Sequence, residues 1–308
     1  MARVSYRASA PGSLMLLGEH AVLHGKRALV CAVNRSIRVA LTPRKDRQVH
    51  IDSSLGHLSL DLDRIEMKDP FLFVISAIAQ RKEHLKSGFD LKIESDFSHQ
   101  VGLGSSAAVT VATSAALSAW LGERLDRQRL FNNAVLVVRE TQGLGSGADI
   151  AASTFGGVIN YCAEPLDIQK LTNTHPLTVI YSGSKKPTAE VVKLVEGART
   201  IHPVIFEAIF RVMDRCVQNA AAAVWREDWR TLGGLFNINH GLMEAIGVSN
   251  AVLSEIVYAL RADPGILGAK ISGSGLGDCV IGLGQAQRKE WPYAVVPVEI
   301  SPNGVTVS

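Results

Sequence analysis

Between positions 101 and 108 the chain reads VGLGSSAA. Two glycines and two serines within five residues make a poor strand and a poor helix interior. The neighbouring residues say where the stretch lies. Residues 89–94 (FDLKIE) alternate as a strand does, and 107–120 read as a helix rich in alanine and β-branched residues. The glycines therefore sit where a loop enters a helix N-terminus, where free backbone N–H groups and the positive end of the helix dipole favour an anion. Two readings of these residues are open: a phosphate cradle, or a helix cap in which Ser105 or Ser106 accepts from the first-turn amides. No G-K-[ST] ending is present, so the loop is not a Walker A sequence, and a nucleotide held here is held by another architecture. Two further small-residue loops follow, QGLGSGAD at 142–149 and SGSGLGD at 272–278, with a basic one, YSGSKKPT, at 181–188.

Regular elements must position these loops. The first quarter is strand-like at 4–9, 28–42, 49–52 and 58–62, separated by Gly, Pro and Asp turns. Residues 70–85 read as a helix, with Leu72, Ile75, Ala79 and Lys82 on one side and Ile78 widening the stripe. Helices are expected at 105–121 and 126–142, the second amphipathic through Leu130, Ala134, Val137 and Val138. A short helix and a strand at 157–162 come next. Residues 163–176 are polar and contain two prolines, which makes them the expected link between two halves, 1–165 and 166–308. The second half opens with a strand at 177–181 and carries three or four helical stretches between 188 and 262. It closes with strands at 268–271 and 279–283 joined as a hairpin. Strands and helices mix without regular βαβ alternation, which favours α+β layers over a doubly wound fold.

Composition narrows the partners. The 308 residues are 47% hydrophobic and 20% charged with a net charge of +3, an ordinary soluble globular balance. The densest basic spots, PRK at 43–45 and Lys185–Lys186, are too small for a nucleic-acid stripe but suit a small anion. Cys31, Cys162, Cys216 and Cys279 are dispersed without C-x-x-C spacing, which argues against a disulfide scaffold or zinc site and fits a reducing cytoplasm. The apolar run 14–17 is too short for a signal peptide, and no stretch approaches a membrane span. The expectation is a cytoplasmic protein with a small-molecule partner, no nucleic acid and no membrane.

Four segments, ASAPGSLMLLGEHAVLHG at 8–25, VGLGSSAAV at 101–109, GLGSGAD at 143–149 and AKISGSGLGDC at 269–279, resemble the motifs of the GHMP small-molecule kinases, in the same order and over nearly the whole chain. Within that superfamily GEHAVLHG and NINHGLMEAIGVS (237–249) are similar to the mevalonate kinase family, whereas GLGSGADIAAS and the final GDC are more similar to phosphomevalonate kinases. The resemblance implies an N-terminal ribosomal-S5-like α/β domain, a C-terminal ferredoxin-like domain and an active site in the cleft between them. It implies ATP- and Mg2+-dependent phosphorylation of the primary hydroxyl of mevalonate. The alternatives are 5-phosphomevalonate as acceptor, or a catalytically weak ligand-binding protein. Such kinases often form homodimers, and helices between 203 and 262 could supply the face.

The resemblance also assigns roles. Gly102, Leu103, Gly104, Ser105, Ser106 and Ala107 would wrap the ATP phosphates, with Gly273 and Gly275 closing from the C-terminal side and Ser106 helping to hold Mg2+. Asp149 would face the substrate hydroxyl; on the bare residues, capping of the short helix is the other reading, and the two roles are not exclusive. Glu19, His20, Ser13, Ser146, Lys185 and Thr188 are expected toward the substrate, and Asn239 and His240 at the cleft, on a solvated face or in an interdomain hydrogen bond. Two departures stand out. Ser13 occupies the place of the lysine in the family's A-P-G-K, leaving Lys26, Lys185 and Lys186 as candidates for the missing cation. The position of the metal-binding glutamate is Val138, and the nearest carboxylate, Glu140, lies two residues on, about 200° around an α-helix. Glu140 is the expected ligand only if the helix end shifts.

Overall fold

The computed structural model, which describes residues 4–308, consists of two sheets with helices layered on them, the α+β arrangement implied by the sequence. The first part of the chain runs β1 (Tyr6–Leu17), β2 (Ala28–Pro43), β3 (Gln48–Ser53), β4 (Gly56–Asp61), α1 (Leu72–Ala79), β5 (Phe89–Ser95), α2 (Ser105–Trp120), α3 (Arg127–Gln142), α4 (Ala148–Phe155), β6 (Val158–Ala163) and β7 (Leu166–Leu171). The second runs β8 (Leu177–Tyr181), α5 (Thr188–Ile201), α6 (Pro203–Trp225), α7 (Trp229–Ala245), α8 (Ala251–Arg261), β9 (Ile266–Ser272), β10 (Cys279–Gly284), β11 (Ala294–Val296) and β12 (Thr306–Val307). The larger sheet has the order β12-β1-β2-β5-β3-β4, with β6 on β2 and β7 on β6, and β3–β5 is its parallel pair. The smaller sheet, β11-β8-β10-β9, is antiparallel.

β1 is longer than the 4–9 strand the alternation predicts. From Ala10 to Leu17 every residue is buried, because both faces are covered: Ala10 and Met15 pack with α2 and α4, while Leu14 and Leu16 pack toward the second sheet. A strand buried on both sides loses the apolar–polar alternation that marks a half-buried one. Its pairing with β2 slips between Pro11 and Ser13, and such irregularities turn side chains toward sites. The 70–85 helix is also shorter than expected: α1 stops at Ala79 and a 3-10 turn follows at Lys82–His84.

The crossing between sheets differs from the expected link. Residues 166–171 (LDIQKL) are β7, an edge strand of the first sheet, half exposed and flanked on both sides by polar, proline-containing residues. The chain leaves that sheet only at 172–176. It returns before its end: Ser301 N–H donates to Ala32 O, Gly157 N–H donates to Ser301 O, and Val307 pairs with Ala8. The last stretch of the 166–308 half thus belongs to the first sheet. Outgoing and returning segments meet beside Gly156 and Gly157, since Leu171 pairs with Val158 and a Cβ on Gly156 would overlap the Asn303 backbone. Lys170 ties them, its Nζ donating to Phe155 O at 3.0 Å and Pro302 O at 2.7 Å.

Candidate active site

Gly102 and Gly104 have φ of 72° and 62°, the left-handed region that a Cβ disfavours. Gly104 is the N-cap of α2, and no cap side chain takes up the first-turn amides. Ser105 and Ser106 lie inside the first turn, so the cap reading is not realised and the N–H groups stay available to an anion. Gly102, Gly104, Ser105, Ser106 and Ala107 line one open cleft together with Ser13, His20, Ser146, Asp149, Lys185, Thr188 and Gly273. Leu103 does not line it. Its side chain is buried in the apolar layer between the sheets, and its carbonyl accepts from Ser13 N–H at 3.1 Å, which fastens the loop to β1.

Asp149 stands in the first turn of α4, where Gly147 occupies the N-cap with φ 90°. The aspartate is not the cap. Its Oδ1 accepts a hydrogen bond from Ser13 Oγ at 2.8 Å. Burial pushes its pKa up, while the Ser13 bond and the Lys185 charge pull the other way. A carboxylate in that setting is a better proton acceptor than an exposed one. The 142–149 loop behind it is held by Tyr161, whose hydroxyl donates to Ser146 O at 2.5 Å.

The turn after β9 closes on the 101–104 loop. Gly273 and Gly275 adopt φ of 89° and 87°, and Leu276 and Asp278 sit in the left-handed region at 57° and 62°. Cys279 Sγ donates to Val101 O at 2.9 Å, and a Cβ on Gly102 would come within 2.9 Å of Asp278 Oδ1. Gly275 buttresses rather than lines: it packs on the Val248 carbonyl. Of the three lysines considered for the missing cation, Lys185 lines the cleft, 3.8 Å from Asp278 Oδ1; Lys26 pairs instead with Glu207 at 2.9 Å. Glu140 is exposed and outside the cleft wall, which Val138 forms instead, because two residues turn the helix more than half a revolution. Beside Asp149, the cleft offers a divalent cation the carboxylate of Asp278, only 5% exposed, whose Oδ1 has Lys185 at 3.8 Å and no hydrogen-bond partner.

Glu19 and His20 reach the cleft but are committed to the protein. Glu19 is buried and ion-paired with Lys270 of β9, and Asn239 Nδ2 of α7 donates to its other oxygen at 3.3 Å. Burial is the main pull on both charges, raising the pKa of Glu19 and lowering that of Lys270. Asn239 is therefore an interdomain hydrogen-bonding residue, and His240, buried on the same helix, also lies off the cleft wall. His20 Nε2 donates to Ser274 O at 2.8 Å, and burial lowers its pKa, so it is a neutral strut between β1 and the third turn. Lys270 and Asp278 are the site residues that motif reading passes over. A lysine inside the apolar run Gly268–Ile271 was the available signal, because such a residue is seldom buried without a partner.

Comparison with known proteins agrees with this geometry. The model of the GHMP kinases N terminal domain matches residues 72–157, that of the GHMP kinases C terminal region matches 220–290, and a galactokinase galactose-binding signature matches 3–43. The chain is 37% identical to a mevalonate kinase of Archaeoglobus fulgidus, over 94% of this chain and 96% of that one. It is 32% identical to a mevalonate kinase of Pyrococcus furiosus, over 94% and 92%. Among solved structures, the Methanococcus jannaschii mevalonate kinase superposes with a TM-score of 0.78 at 25% identity, covering 92% of this chain and 91% of that one. An uncapped helix over a glycine loop, a buried aspartate across from it and relatives aligned end to end lead to one conclusion: the chain belongs to the GHMP kinase family.

Proposed function

We propose that the protein transfers the γ-phosphoryl group of ATP to the primary hydroxyl of mevalonate, giving 5-phosphomevalonate. The observation that carries the reading is the Ser13–Asp149 bond opposite the uncapped N-terminus of α2, within one cleft. Full-length relatives bearing the mevalonate kinase name support the choice of acceptor. In this reading Asp149 takes the hydroxyl proton, and Ser13 keeps the carboxylate turned to the cleft. The α2 amides and Lys185 bear on the phosphates. Ser106 helps hold the magnesium ion, which when bound neutralises charge on the β- and γ-phosphates. With all four cysteines free and buried, and no helix among the described residues long and apolar enough to cross a membrane, we place the reaction in the cytoplasm.

One observation favours a second acceptor: Lys185, on a loop that also carries Lys186, reaches the cleft wall where a substrate phosphate could meet it. ADP release with ATP and Mg2+ decides, comparing mevalonate with 5-phosphomevalonate beside Asp149→Asn. Turnover with mevalonate, lost in the variant, is the expected result. Turnover with phosphomevalonate alone transfers the assignment to the second acceptor, and silence with both despite ATP binding rejects the kinase reading.

A further inference from the structure

We infer that Asp278 is the protein carboxylate that grips the divalent cation accompanying the nucleotide. The inference rests on the kinase reading and assigns one more residue to its cleft.

Asp278 is buried to 5% exposure, lines the cleft, and has an Oδ1 with no hydrogen-bond partner. The nearest cation, Lys185 Nζ, is 3.8 Å away, beyond hydrogen-bond reach, and gives its own bond to His99 O at 3.1 Å. A buried carboxylate oxygen with an ammonium at that distance and no hydrogen bond is only partly satisfied, and a ligand that binds it directly supplies what is missing.

The backbone is built to hold it there. Asp278 N–H donates to Ser184 O at 2.8 Å, its carbonyl accepts from Ser182 N–H at 2.9 Å, and its φ is 62°. Asparagine would suit that left-handed conformation as well as aspartate does, so what aspartate adds at this position is charge. That charge lies against the phosphate loop, where a Cβ on Gly102 would come within 2.9 Å of Oδ1. Phosphates on the loop and a carboxylate beside it repel unless a cation sits between them.

The donor count fits magnesium carried in with its nucleotide. Among the described residues no three of His, Cys, Asp and Glu gather to hold a metal alone. Magnesium is usually held by one or two carboxylates plus substrate phosphates and water. With Val138 on the cleft wall and Glu140 outside it, Asp278 enters from the opposite domain to fill that role.

The test uses the whole protein, ADP and Mn2+ as the probe, with free Mn2+ followed by electron paramagnetic resonance. Asp278→Asn keeps the shape and the left-handed backbone, and an unchanged thermal melt checks that it folds. Loss of outer-shell partners alone costs about 10–100-fold in metal affinity, so loss of this ligand should weaken Mn2+ in the ternary complex by about tenfold or more. ADP binding in EDTA should stay level or tighten, because a negative charge has left the loop. Mn2+ affinity equal to wild type overturns the assignment. So does an Asp278→Asn variant that loses ADP affinity in EDTA as much as Lys185→Met does, since Asp278 would then be the anchor of Lys185. A wild-type protein that binds no ADP, with or without Mn2+, sinks the kinase reading itself.

Discussion

Replacing Ser13 with alanine isolates the contact on which the catalytic reading turns. Ser13 is 1% exposed and donates to Asp149 Oδ1 at 2.8 Å, so no water from that side replaces the lost hydroxyl. Hydrogen bonds to charged groups contribute about 1.5–3 kcal/mol. Only the charged form loses that energy when this bond is removed, so the Asp149 pKa should rise. The sign follows from which form the donor favours. Ser13 stabilises the carboxylate; without it the protonated acid gains, adding to the upward push that burial already exerts. A general base works only when deprotonated, so the acid limb of kcat/KM must move to higher pH. The assay is ADP release against mevalonate from about pH 5 to pH 9, the range in which such limbs are read. Above the shifted limb most activity should return, reduced by the looser orientation of the carboxylate. A limb that stays in place while the rate falls evenly at every pH would refute the reasoning, because Ser13 would then act through packing alone.

Other perturbations address separate parts of the structure. Lys185→Met removes the cation that lowers both Asp149 and Asp278; turnover at saturating ATP should fall on the order of a hundredfold, and the acid limb should shift upward as in Ser13→Ala. Gly104→Ala sets a Cβ onto Ser13 Oγ at φ 62°, so ADP binding measured by calorimetry should be lost, with about 1–3 kcal/mol of strain visible in denaturant unfolding. Glu19→Gln and Lys270→Met each leave a buried charge unanswered and should each cost about 3–5 kcal/mol in chemical denaturation; the double variant should recover much of that loss. A double variant no better than either single one would mean the pair does not act as a unit.

The features legible in the sequence were the local ones. The glycine loop before α2 announces itself because glycines and serines cluster where a strand gives way to a helix, and α2 and α3 lie within a residue of their expected bounds. Asp149 could be placed because it follows its own glycine loop. Where the reading failed, contacts came from far along the chain. The length of β1 was hidden by burial on both faces, and β7 was masked by the polar, proline-containing residues that flank it on both sides. Lys270 gains its meaning from Glu19, which lies 251 residues away, and the orphaned oxygen of Asp278 follows from a turn pressed against Gly102. Glu140 shows the reverse case, in which helix geometry alone counted against a nearby carboxylate and the structure left it outside the cleft.

The meeting of the outgoing and returning segments beside Gly156 and Gly157 fixes how the second layer is attached to the first. The β8–β11 layer is an insertion within the first sheet's chain, and its two stems leave and re-enter side by side, bridged by Lys170 from Phe155 to Pro302. Both ends of the insertion are fixed to the same edge of the first sheet, and the second layer is held there by the apolar layer between the sheets and the buried Glu19–Lys270 pair as well as by its stems. A side chain added at Gly156 or Gly157 would press on that closure, against Asn303 and Lys170, and should register as lost stability rather than as a changed cleft.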